Sequence, residues 1–83
     1  MTYELKFKKK AIKALVKINE PYYSLIIQAI EDLTRNPTPF GCKKLTARAG
    51  YRIRVGMYRI VYDIYHETLI IEIINDGVKS QGL

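Results

Sequence analysis

Tyr51-Arg52-Ile53-Arg54-Val55-Gly56-Met57-Tyr58-Arg59-Ile60-Val61-Tyr62 is the stretch that decides how the rest of the chain is read. Apolar residues alternate with cations on both sides of a glycine, the period-2 pattern of a half-buried hairpin. Gly56 suits the first central position of a type II′ turn, which makes Gly56-Met57 a two-residue loop. Val55 then faces Tyr58, Arg54 faces Arg59, Ile53 faces Ile60 and Arg52 faces Val61. This register predicts Arg52, Arg54 and Arg59 on one side of the hairpin. Tyr51, Ile53, Val55, Tyr58, Ile60 and Tyr62 fall on the other.

Like charges directly opposite each other destabilise a sheet by roughly 0.2–1 kcal/mol per pair. A chain selected for folding alone would gain from Thr or Glu at one of these positions. A face of arginines makes sense if an anion lies on it, and guanidinium forks match phosphate well. The competing reading is a solvated face, partly neutralised by Asp63 or Glu72.

The 83 residues are enough for a single domain spanning 1–83, and 48% of them are hydrophobic, so a compact core is expected and disorder is not. The single cysteine, Cys42, leaves no internal disulfide and no cysteine-based zinc cage, and no cofactor is expected. The first residues carry no apolar stretch of signal-peptide length, and nothing later is long enough to span a membrane. A soluble, cytoplasmic protein without a membrane partner is the expectation. The net charge of +6 favours a polyanionic partner: nucleic acid, a ribosome or an acidic protein. The cations gather between Lys6 and Lys13, in Lys43, Lys44 and Arg48, and in the hairpin arginines.

Outward from the hairpin, Tyr3, Leu5 and Phe7 alternate with Thr2, Glu4 and Lys6, a short strand. From Lys8 the period changes, and Ala11, Ile12, Leu15 and Val16 form a helical stripe with lysines on the other side. Asn19-Glu20-Pro21 breaks and restarts the helix, with Asn19 as the expected N-cap. Tyr22, Tyr23, Ile26, Ile27, Ala29, Ile30 and Leu33 mark a second helix that ends before Pro37. Pro37, Pro39 and Gly41 are turn chemistry. After the hairpin, the isoleucine-rich run from Thr68 to Asn75 reads as a well-covered strand that puts Leu69, Ile71 and Ile73 in the core and Glu72 with the arginines. The predicted architecture is α+β, in the order β-α-α-β-β-β: a two-helix hairpin packed on one face of a small curved antiparallel sheet.

This order of elements resembles the RelE/ParE toxin superfamily of type II toxin–antitoxin modules over nearly the whole chain, up to about Gly77. The strings that carry the likeness are Leu33 to Pro37 closing the second helix, Lys43-Lys44-Leu45 in the following loop, and the double-arginine hairpin from Tyr51 to Asp63. RelE-like members are ribosome-dependent endoribonucleases that cut mRNA in the ribosomal A site, and ParE-like members poison DNA gyrase. Both are neutralised by an antitoxin that wraps the toxin. The resemblance implies that Arg52, Arg54, Arg59 and Lys79 form the catalytic set. It implies ribosome binding by Lys43, Lys44 and Arg48, and the lysines of the first helix, Lys9, Lys10 and Lys13, are further candidates. The implied partners are the ribosome with its A-site mRNA and a cognate antitoxin, expected to carry an acidic segment and an amphipathic helix.

One departure bears on the chemistry. The family commonly ends in a segment like Gly-His-Arg-X-X-X-Tyr, whereas no tyrosine or histidine follows Gly77 here. Attenuated cleavage is the consequence expected. Metal-independent RNA cleavage deprotonates the 2′-OH, stabilises the phosphorane and protonates the 5′-oxygen. Arginines serve the second need but cannot act as base, because guanidinium stays protonated. Lys79 is a candidate proton donor, and Glu72 is a candidate base or a structural pairing partner of Arg54 or Arg59. His66, at a turn roughly 20 Å along the strand from Arg59, reads as an exposed turn residue. The alternatives are a ParE-like gyrase inhibitor and an inactive RNA- or ribosome-binding module.

Overall fold

The computed structural model describes residues 2–46 and 49–78. Along the chain run β1 (Glu4–Phe7), α1 (Lys9–Leu15), α2 (Tyr22–Leu33), β2 (Lys43–Lys44), β3 (Tyr51–Val55), β4 (Tyr58–Tyr65) and β5 (Ile70–Val78). The strands form one sheet in the order β1-β5-β4-β3-β2. The predicted α+β class and element order hold, with two refinements. Lys43 and Lys44, expected in a loop, form a two-residue strand paired with β3. The sheet is mixed, not wholly antiparallel, because β1 runs parallel to β5. The helical hairpin carries the chain across to the far edge, and the β3-β4-β5 meander returns it beside β1 with β5 pointing the same way.

Both helices cover one face. Ala11 and Leu15 of α1 and Ile26, Ile30 and Leu33 of α2 pack onto Ile53, Ile60, Tyr62, Ile71 and Ile73 of the sheet. The stripe of α1 is narrower than its sequence suggests, since Ile12 is 48% and Val16 72% exposed. This helix is short for a physical reason. Lys8 caps it without a side-chain bond, no acidic residue occupies its first turn, and Lys9 and Lys10 oppose the positive end of its dipole. The N-terminus of α2 also differs from expectation. Asn19 is not its cap; the Glu20 carboxylate accepts both the Ser24 N–H, at 3.1 Å, and the Ser24 hydroxyl, at 2.8 Å.

The β3–β4 hairpin has the predicted register, with Arg54 opposite Arg59 and Val55 opposite Tyr58. Gly56 has φ +61°, as the first central position of a type II′ turn requires. A second constraint acts at the same residue. A Cβ on Gly56 would lie 2.7 Å from Cε1 of Tyr22, whose ring also packs on Tyr58 at a centroid distance of 5.4 Å. The N-terminus of α2 therefore clamps the turn.

At the other end of β4, the residues between Tyr65 and Ile70 make a four-residue turn. Leu69, expected in the core face of the last strand, sits in this turn with φ +56°. Its carbonyl accepts the Glu4 N–H at 2.8 Å, which ties β1 to the turn. Ile71 and Ile73 are buried as expected. Between the pairs Tyr62–Ile73 and Val61–Asn75 the ladder slips by one residue, so Ile74 is the extra residue of a bulge.

Tyr62 is fully buried. Its hydroxyl donates to the Pro37 carbonyl at 2.6 Å, and its ring stacks on Tyr51 at 5.9 Å. Burial first, and then the neighbouring Cys42 thiol and Tyr51, push its phenol well above the usual tyrosine range.

Two predictions follow from these contacts. Gly56→Ala is expected to destabilise the fold by about 1–3 kcal/mol in urea unfolding, from left-handed strain and the Tyr22 clash. Adding Tyr22→Ala should recover the clash part only, as a non-additive double-mutant cycle; strict additivity would show that the ring does not press on the turn. Tyr62 in the folded state holds its proton above pH 10, where an unfolded tyrosine has released it. Its contribution to stability is intact below pH 10 and falls by up to about 1.4 kcal/mol per pH unit above it. Tyr62→Phe should therefore be less stable at pH 8 and lose stability less steeply between pH 10 and 12; parallel curves would contradict this.

Candidate functional site

The face of the sheet opposite the helices carries the arginines. Counting from the two-residue turn, Val55 and Tyr58 are the hydrogen-bonded pair, and Arg54 and Arg59 the non-hydrogen-bonded pair next to it. In such pairs the Cβ atoms approach to about 4.5–5.5 Å. Arg52 stands opposite Val61 on one side and Lys43 on the other. The short strand β2 thus adds a cation to the row that sequence reasoning had assigned to a loop. A two-residue strand carries too little periodicity to be seen in advance.

Arg54 is exposed, and Arg52 and Arg59 are partly buried. The Nε atoms of Arg52 and Arg59 are both buried without a hydrogen-bond partner among the described residues. A buried, unpaired donor on a charged group costs on the order of 1–3 kcal/mol or more. These donors belong to guanidinium groups standing beside further cations, so the unmet valence and the unbalanced charge call for the same ligand: an anion with several acceptor oxygens.

The other candidates are dispersed. Glu72 stands opposite Asp63 on β4 and opposite Lys6 on β1. Asp63 is four positions from Arg59, about 13 Å along the strand. Glu72 is therefore not placed to pair with Arg54 or Arg59; one of its oxygens takes the Tyr65 hydroxyl at 3.3 Å. The length of the turn, not visible as a pattern, sets this distance. Lys44 is exposed and pairs with Tyr51. Lys9 and Lys13 are exposed on α1, in the helical layer, while Lys10 reaches the arginine side at the far end of the sheet. His66 is held by Tyr3, whose hydroxyl lies 2.8 Å from Nδ1. Arg48 and Lys79 lie outside the described residues. Among the described residues no cluster of His, Cys, Asp and Glu could hold a metal, and no helix is long and apolar enough to cross a membrane.

A helical hairpin thus covers one face of a small sheet and a row of cations lies on the other. The family described as "ParE toxin of type II toxin-antitoxin system, parDE" matches residues 5–76. The chain belongs to this family, within the RelE/ParE toxin superfamily. It is similar to the toxin in the archaeal RelE–RelB complex from Pyrococcus horikoshii OT3, at 28% identity and TM-score 0.85, covering 98% of this chain and 99% of that one. The toxin–antitoxin complex RelBE2 of Mycobacterium tuberculosis matches at 27% identity and TM-score 0.80, covering 94% and 99%. A free E. coli RelE mutant shares the fold at 23% identity and TM-score 0.81, covering 98% and 87%. No curated protein matches the chain.

The opposed arginines imply a trade between stability and binding. Arg54→Thr should raise the melting temperature of the free protein by about 1–6 °C, from relief of roughly 0.2–1 kcal/mol of repulsion. It should also weaken the stabilisation that added polyphosphate gives the parent chain. A lower melting temperature with unchanged polyphosphate response would show that the arginine row is an ordinary solvated face.

Proposed function

We propose that this toxin arrests translation by cutting ribosome-bound mRNA without a metal, and that a cognate antitoxin neutralises it. The observation that carries this reading is the pair of buried guanidinium Nε donors on Arg52 and Arg59, unpartnered among the described residues, beside Arg54 and Lys43. Fixed positive charge of this kind stabilises negative charge as it develops on a phosphorane. In the proposed reaction the 2′-oxygen attacks the adjacent phosphorus and gives up its proton. The bond to the 5′-oxygen breaks, and that oxygen takes up a proton. The products are a 2′,3′-cyclic phosphate and a 5′-hydroxyl. The arginines bind the phosphate and stabilise its transition state but move no proton. Glu72, about 13 Å along the strand from Arg59, does not serve as base at the same phosphate. Lys79 keeps its candidate role as proton donor. Lys44, Arg48, Lys9, Lys10 and Lys13 are assigned to docking on ribosomal RNA, where each phosphate contact adds salt-sensitive affinity.

The structural relatives in RelE–RelB and RelBE2 complexes support an antitoxin partner. A +6 chain favours an acidic segment. An amphipathic helix on that partner would find footing on exposed Ile12, Val16, Leu25 and Phe40. The second reading, inhibition of DNA gyrase, is favoured by the description of the matching family.

Induction of the chain without antitoxin should stop protein synthesis and leave cuts inside codons of ribosome-bound mRNA. Arg59→Ala should slow cutting by about 10²–10³-fold. The double variant Arg54→Glu/Arg59→Glu should lose both cutting and antitoxin affinity. Intact mRNA with a DNA-damage response and normal translation would transfer the assignment to gyrase. Unchanged antitoxin affinity in a folded double variant would show that neutralisation acts elsewhere.

A further inference from the structure

The arginine row is only one half of the open face. Next to it lies a groove of about 530 Å³. Its apolar walls are Val61, Ile74 and Leu45, and its polar lining is Asp63, Tyr65, Glu72, Lys8 and Lys10. Val61 links the halves, because it is the residue directly opposite Arg52. The bulge in β5 supplies Ile74, the residue by which the ladder slips.

We propose that this groove is a nucleobase pocket, with Glu72 selecting guanine in the nucleotide whose phosphate rests on Arg52 and Arg59. The inference rests on the phosphate reading of the arginine row and adds a specificity determinant to it. Glu72 lies across from Asp63, two positions on from Val61, so about 7 Å separates its level from that of Arg52. Arg52 on β3 and Glu72 on β5 flank β4, so about 10 Å across the sheet adds to this offset; the two long side chains and a nucleotide between them span the resulting distance of roughly 12 Å.

Two carboxylates and two lysines in the lining favour a ligand without net charge. A second phosphate in the groove would meet the Asp63 and Glu72 carboxylates. A cationic side chain would meet Lys8 and Lys10 in the groove and lie beside the arginines. A flat, neutral ring with hydrogen-bond donors on its edge suits the apolar walls, and the carboxylate accepts from that edge. The ring of Tyr65, which is 46% exposed, offers a stacking surface without sequence preference. Preference then comes from Glu72. A carboxylate has about four acceptor sites, and the Tyr65 hydroxyl occupies one, at 3.3 Å. Guanine presents two adjacent donors, N1–H and the 2-amino group, to such an acceptor. Adenine and cytosine present one amino donor beside a ring nitrogen that the carboxylate repels, and uracil presents one imino donor between two carbonyls.

Two-dimensional 15N–1H spectra of the full chain test this with separate probes for the two halves. Inorganic phosphate should shift the Nε–H signals of Arg52 and Arg59. Guanosine, which carries no phosphate, should shift the amides of Val61, Glu72 and Ile74, and uridine should not. GMP should bind about tenfold or more tightly than UMP, within the range of a good two-point base contact. Glu72→Gln should bring GMP and UMP to equal affinity and leave the phosphate-induced arginine shifts intact. Equal binding of GMP and UMP by the parent chain, with shifts confined to the arginines, would overturn the base pocket and leave the phosphate reading standing. Guanosine shifts in the groove without any arginine response to phosphate would keep the pocket as a base site and remove the phosphate reading. Absence of shifts with every probe would overturn both.

Discussion

The approach of the Tyr22 ring to the backbone of Gly56 governs the geometry of the whole open face. With room for no Cβ and a positive φ, the turn is held to two residues. Turn length sets hairpin register, and a slip of one residue in a sheet moves every side chain to the other side. Held as it is, the hairpin sends Ile53, Ile60 and Tyr62 under the helices and leaves Arg52, Arg54 and Arg59 outside. The same tyrosine touches Tyr58 across the turn. A contact at the start of α2 thus decides which side chains meet a ligand on the far face of the sheet.

Keeping cations opposite one another has a cost that the core must offset. Arg54 faces Arg59, Lys43 faces Arg52, and two Nε donors are buried without partners among the described residues. Each fully buried branched aliphatic side chain returns roughly 1.5–3 kcal/mol. Ile26, Ile30, Ile60, Ile71 and Ile73 are all buried in this small fold. Such a core can carry a locally unfavourable face. Conflict between local and global preference is expected where a surface serves a ligand and not the fold.

The parts of this arrangement legible in the sequence are those with a strong period. Alternation from Tyr51 to Tyr62, with one glycine at the turn, was sufficient to place each hairpin side chain on its observed face. The helical stripe of α2 was equally clear at Ile26, Ile30 and Leu33. What escaped was set by tertiary contact. The strand at Lys43 and Lys44 exists only because β3 offers it an edge. The parallel β1–β5 pairing depends on how the helical hairpin returns the chain. Glu20 displaced Asn19 at the head of α2 because its longer side chain reaches Ser24. Glu72 was correctly placed on the open face, yet its neighbours there are Tyr65, Asp63 and Lys6. Its distance from the arginines follows from a four-residue turn that leaves no mark on hydrophobic periodicity.

The bulge has a consequence for charge as well as shape. Below it, β4 and β5 pair as Tyr65–Ile70, Ile64–Ile71, Asp63–Glu72 and Tyr62–Ile73. Continued without a slip, that ladder would set Asp76 directly opposite Arg59. The extra residue at Ile74 moves Asp76 to the position opposite Ile60 and brings Gly77 opposite Arg59 instead. A carboxylate across from Arg59 would have formed a cross-strand ion pair, the cheapest way to relieve the Arg54–Arg59 repulsion. Such a pair would also have occupied the guanidinium donors that an incoming phosphate needs. The bulge instead sets at that register position a glycine, a residue with no side chain to pair with Arg59. The same inserted residue forms a wall of the neighbouring groove. One irregularity in one strand thereby sets both the register beside Arg59 and a wall of the groove.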